Sequence, residues 1–261
     1  MDLVSSIDSY VEMDKQLKEA FKLWLCELQS KFPELLGQSY SNPYYTCVPK
    51  GWIESPVRIL YVGEEGFGDW GRGRSEGVNP DEIEKIQTFC WSSLGSYLGY
   101  DLEYFLYPGA WHFKYRNTAF WRRARKLAGY GMVAWSNMDL IHKRSDEAGK
   151  CRLNDAEREK LHSLDSKILA EQIRIMKPTH VVYAGWYGTS IEHELPQIYA
   201  ELNPDGPDDC HKWYKKVVSI YSEECFHIFA YHPSWRGKGK PEGYEDWVYE
   251  EFEKTLQQCK K

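Results

Sequence analysis

Residues 177–186 read Lys177-Pro178-Thr179-His180-Val181-Val182-Tyr183-Ala184-Gly185-Trp186. Proline disfavours helical backbone in the residue before it, so a preceding helix stops at Lys177. The apolar run from His180 to Ala184 does not alternate with polar residues and ends at a glycine. Such a run is a short strand covered on both faces, which is the signature of a parallel sheet. Three other runs have the same character, Val57–Val62, Met132–Trp135 and His227–Tyr231.

Helical patterns separate them. Leu17, Phe21, Trp24, Leu25 and Leu28 recur at helical spacing within residues 10–29. Pro80 and Asp81 open a segment that runs toward Leu98. Asn154 with Glu157 three residues later is a capping box ahead of Leu161, Leu164, Ile168 and Ile175. Trp247, Val248, Phe252 and Leu256 mark a last helix. Trp213–Tyr221 alternates enough for an edge strand or hairpin. The order predicts an α/β fold: a three-layer α/β/α sandwich around a central four-stranded parallel sheet, with an extra N-terminal helix and a possible edge hairpin. The 261 residues, 42% hydrophobic, suit one domain over 1–261, in which 1–55 form an N-terminal helical extension packed on the rest.

Composition excludes several classes. Charged residues make up 28% and mean hydropathy is −0.62, which fits neither a disordered chain nor a membrane-embedded one. No run approaches the roughly 18 apolar residues of a spanning helix. The N-terminus has no basic region leading into an apolar core, so a cytoplasmic location is expected. Seven cysteines without a C-x-x-C pair read as free thiols. Cys210, His211, Cys225, His227 and His232 lack the usual zinc spacings, and no metal or cofactor is expected. The net charge of −6 does not advertise nucleic-acid binding. Its distribution is uneven, however. Residues 113–126 carry Lys114, Arg116, Arg122, Arg123, Arg125 and Lys126 with no acidic residue, and Arg236, Lys238 and Lys240 lie near the C-terminus.

In an open parallel sheet, ligands bind outside the carboxyl ends of the strands. Gly63-Glu64-Glu65-Gly66-Phe67-Gly68 follows the first run and Ser136-Asn137-Met138-Asp139 the second. The third is followed by Gly185-Trp186-Tyr187-Gly188 and the fourth by His232-Pro233-Ser234-Trp235-Arg236. Gly66-Phe67-Gly68-Asp69-Trp70-Gly71 also fits G-x-G-x-x-G. A dinucleotide site needs a helix to begin there, and none can begin before about Pro80.

The series strand–Gly, strand–Asn, Lys-Pro-x-x-Val-Val-x-x-Gly and strand–His-Pro-Ser resembles the uracil-DNA glycosylase superfamily over roughly residues 57–236. YHPSW at 231–235 is its most specific element. The resemblance implies roles residue by residue. His232 would bond a uracil carbonyl and stabilise the departing anion, and Asn137 would read the base edge. Glu65 would orient the attacking water, or Glu64 in the Gly-Glu-Ala-Pro-Gly form of the loop. Phe67 would stand where a tyrosine excludes the thymine methyl, and Gly63 would line the base site. Arg236 would insert into the DNA stack, with Ser234, Arg122 and Arg123 on the backbone. The implied partner is single- or double-stranded DNA, bound by a monomer. An aromatic wall for stacking would come from Trp70, Trp111 or Trp186.

Two functions remain open. One is hydrolysis of the N-glycosidic bond of uracil or a related damaged base. The other is a non-catalytic member of the same fold that binds a nucleotide, nucleic acid or protein. Gly66 in place of the family's loop proline and the acidic surface favour the second; His232-Pro233-Ser234 with Asn137 favours the first.

Overall fold

The computed structural model describes residues 3–37, 39–41, 43–46, 48–49, 51–65, 118–143, 152–185, 188–201, 225–230, 232–233 and 243–258. The expected helix from Pro80 and the possible edge hairpin at Trp213–Tyr221 lie outside them. The elements in chain order are α1 (Leu3–Lys31), β1 (Arg58–Glu65), α2 (Ala119–Ala128), β2 (Met132–Asp139), α3 (Asp155–His162), α4 (Ile168–Met176), β3 (His180–Ala184), α5 (Gly188–Glu194), α6 (Pro196–Glu201), β4 (Phe226–Ala230) and α7 (Tyr244–Gln258).

The four strands form one all-parallel sheet in the order β2-β1-β3-β4. The chain steps from β1 to β2 on one side and then returns to place β3 on the other. That reversal beside β1 is the topological switch point, where such sheets open a crevice.

Alternation along the strands divides the core into two faces. One carries Ile59, Tyr61, Gly63, Val133, Trp135 and Asn137 and is covered by α2 and α7, through contacts such as Tyr61 with Phe120 and His180 with Phe252. The other carries Leu60, Val62, Glu64, Ser136 and Met138 and faces α1 and α3–α5; Ser136 Oγ donates to Gln172 of α4 at 2.7 Å. The strands are buried on both faces, as their unbroken apolar runs require.

The N-terminal helix shares this core. Leu17, Phe21, Trp24, Leu25 and Leu28 are all buried in the same cluster as the sheet. Each such side chain contributes about 1.5–3 kcal/mol of burial. Trp52 closes the extension, its indole N–H donating to the Met176 carbonyl at 2.9 Å.

Two expectations need correction. The segment after Asn154 is two helices rather than one. Asn154 and Glu157 do form the capping box, but the amides of Asp165 and Ser166 donate to the Glu27 carboxylate of α1, at 2.7 and 3.0 Å. Those donors are thereby lost to a continuous helix. In addition, β1 and β2 run further than their apolar runs suggest. Gly63 pairs with Asn137 and Glu65 with Asp139, so these residues end strands rather than follow them.

Lys177 caps α4 in the left-handed region at φ 47°, and Pro178 follows at once, so the helix stop is sharp. Gly131 enters β2 against the start of β1. A Cβ there would lie 2.2 Å from the Val57 carbonyl oxygen and 2.9 Å from its carbon, both backbone atoms. Gly131→Ala therefore forces the two strands apart and should cost about 1–3 kcal/mol. Urea unfolding measures this, and an unchanged midpoint would contradict the contact.

Candidate functional site

Gly63 and Asn137 face each other across β1 and β2 near their carboxyl ends. A Cβ at position 63 would meet Asn137 Oδ1 at 2.5 Å and the Phe120 ring at 3.3 Å. A side chain at position 63 would have to displace the Asn137 amide. Asn137 is 1% exposed. Its Oδ1 accepts from the Trp135 indole N–H at 3.0 Å. Its Nδ2 is buried and has no hydrogen-bond partner among the described residues. An unmade hydrogen bond on a buried amide costs about 1–3 kcal/mol.

Phe120 supplies the aromatic surface. Thr118 caps α2, accepting from the Trp121 amide, and two residues on Phe120 turns toward the rim. Its ring is 4.6 Å from Tyr61 and 6.1 Å from the His232 ring, nearly parallel to the latter at 20°. Trp121 and Trp135 meet edge to face at 4.7 Å, and Tyr44 closes on Trp135 at 4.1 Å. Gly63, Asn137, Phe120 and His232 are thus one group at the carboxyl rim beside the switch point. His232 is exposed there. The other imidazoles of the sheet are not: burial holds His180 down to about 4 and His227 down to about 3, and both stay neutral core groups.

Glu64 belongs elsewhere. Its carboxylate accepts from Arg158 Nη2 at 3.1 Å and lies 3.7 Å from Arg152, on the opposite face of the sheet. Arg158 also pairs with Asp139 at 3.3 Å. Glu65 ends β1 opposite Asp139. Arg122 is exposed on α2, but Arg123 is 1% exposed. The expectation that Arg123 contacts DNA is corrected: its guanidinium lies in the interior, because position 123 flanks the buried stripe of Trp121, Ala124 and Leu127. Phe67, Ser234, Arg236, Trp70, Trp111 and Trp186 lie outside the described residues.

A second polar cluster lies behind β2. His162 Nε2 is 3.0 Å from Ser190 Oγ and 4.0 Å from Asp139 Oδ1. A nucleophilic triad needs serine and aspartate on different imidazole nitrogens; here both approach the same one. Beside them, Glu194 lies in a small cavity with Trp24, Asp139, Leu161 and His162, and accepts from the Leu169 amide at 2.9 Å. Among the described residues, no group of His, Cys, Asp or Glu is arranged to hold a metal ion, and no helix is long and apolar enough to cross a membrane.

Burial pushes Glu194 up from 4.5 to about 8. The folded chain therefore keeps a proton that the unfolded chain has released between those values. Stability from the neutral acid is complete below about pH 4.5 and is lost as pH rises through 8. Glu194→Gln removes that loss, so its melting temperature should gain on the wild type steadily as pH rises across this window. Parallel melting curves for the two proteins at every pH would contradict a buried neutral acid.

No family model matches the chain, and no curated protein matches its sequence.

Proposed function

We propose that the chain is a DNA N-glycosylase-like hydrolase that removes uracil or a related damaged base. The observation that carries this reading is the convergence of an unpaired buried donor, Asn137 Nδ2, with the Phe120 ring and the exposed His232 at the switch point. A flipped base needs a stacking face, an edge contact and a group that accepts its departing charge. Phe120 offers the first, worth about 1–3 kcal/mol per stacked base. Asn137 offers the second and His232 the third.

In the proposed reaction the bond between the base nitrogen and the sugar carbon breaks and its electron pair leaves on the base. His232 stabilises that anion, and water adds to the sugar carbon as a carboxylate steadies the positive charge there and takes the water's proton, which ends on the base nitrogen. Of the two candidates, Glu65 is favoured, because the ion pairs of Glu64 with Arg158 and Arg152 already engage its carboxylate. Arg122 remains a candidate phosphate contact; Ser234 and Arg236 keep that role on the resemblance alone. The alternative of a non-catalytic binder draws on the same engagement of Glu64.

Single-turnover cleavage of uracil-containing oligonucleotides, read after alkali treatment of abasic sites, tests the proposal. His232→Ala should slow the wild-type rate by about 10²–10³ and Glu65→Gln by about 10²–10⁴. Glu64→Gln should act mainly on stability. Full activity in His232→Ala would overturn the mechanism. Wild-type protein that binds but never cleaves would transfer the case to the non-catalytic alternative.

A further inference from the structure

Five elements meet at the small cavity behind β2. Trp24 of α1, Asp139 of β2, Leu161 and His162 of α3, Ile168 of α4 and Glu194 of α5 all line it. The space open to a water molecule's centre there is about 10 Å³, room for one water and no larger guest. A buried water keeps its place only where roughly two to four polar groups meet it, and here Asp139, His162 and Glu194 do. His162 Nε2 lies 4.0 Å from Asp139 Oδ1, too far for a direct hydrogen bond. Polar groups facing each other across such a gap are commonly joined by water.

The two acids differ in what surrounds them. Asp139 is 3% exposed, and Arg158 at 3.3 Å favours its anion. Glu194 is 6% exposed, and its ion-pair neighbour among the described residues is His193, 3.8 Å away. Burial, and then the Lys167 ammonium 2.9 Å away, hold that imidazole down to about 4, so it brings Glu194 no positive charge. Buried in this way, Glu194 keeps its proton. One of its oxygens accepts from the Leu169 amide at 2.9 Å. A neutral carboxyl group also has an O–H to donate, and a buried donor needs an acceptor.

We propose that this cavity is a binding site for one water molecule, which accepts from the Glu194 carboxyl group and donates to the Asp139 carboxylate. The site joins the end of α5 to the carboxyl end of β2 by hydrogen bonds instead of an ion pair. A cation is the other guest of that size, and no group of His, Cys, Asp or Glu among the described residues is arranged to hold one.

Oxygen-17 magnetic relaxation dispersion tests the site, because it counts long-lived waters and does not see labile protein protons. Glu194→Met keeps the length of the side chain and removes its polar end, so the dispersion amplitude should fall by that of one ordered water. Leu161→Phe fills the cavity, leaves both acids and should show the same loss; it guards against a folding defect in Glu194→Met. Glu194→Gln still offers a donor to the water and should match the wild type. Wild-type amplitude in Glu194→Met or in Leu161→Phe would overturn the water site. A loss in Glu194→Gln equal to that in Glu194→Met would overturn the bridge, which needs only a donor at position 194.

Discussion

The absence of a side chain at Gly63 is the constraint on which the site depends. Parallel pairing puts position 63 directly across from Asn137, and the 2.5 Å between the amide oxygen and a would-be Cβ means that alanine would push the amide aside. The amide therefore lies down on the β1 backbone, within reach of Trp135. Phe120 settles over the same gap and extends the surface to His232. Remove the gap, and the amide, the ring and the indole must all find other positions. Backbone approach of this kind is a common reason for glycine in a strand interior.

The sheet separates two kinds of chemistry by its alternation. On one face the described rim residues are aromatic, with Tyr44, Phe120 and Trp121 packed on Trp135, whose indole N–H donates to the Asn137 amide. The opposite face gathers charge: Glu64 pairs with Arg158 and Arg152, Asp139 reaches Arg158 from the end of β2, and His162 and the neutral Glu194 lie behind them. The charged face anchors α3 to the strand ends, so it steadies the carboxyl rim without entering the aromatic site.

Much of this was legible in the residues. The four apolar runs, the Asn154–Glu157 cap and the Lys177-Pro178 stop each rest on a local rule, and each element is present. The resemblance offers Glu64 and Glu65 as alternatives through two forms of the loop; the apolar pattern fails after Val62, and only a strand continued to Glu65 lets alternation turn Glu64 from Gly63. A charge run carries no helical phase, so Arg122 and Arg123 look alike in the sequence; the stripe Trp121, Ala124 and Leu127 supplies the phase that buries Arg123. Phe120 lies inside the basic stretch 113–126, where charge dominates the pattern. Its signal was present in Thr118 as a cap with two aromatics just after it, at the opening of the helix that leads into β2. The Trp135–Asn137 contact needed coordinates, since the i,i+2 spacing gives a shared face but not a hydrogen bond.

The central claim is that Asn137 Nδ2 donates to a base, and its side-chain amide signals report that most directly. Nitrogen–proton correlation spectra, assigned by comparison with Asn137→Asp, would be recorded while an oligonucleotide with one non-hydrolysable uracil nucleotide is added to saturation. The account predicts that one Nδ2 proton moves markedly downfield as it acquires an acceptor, with the Trp135 indole signal retained. Asn137 signals that stay in place while the oligonucleotide saturates the protein would contradict it.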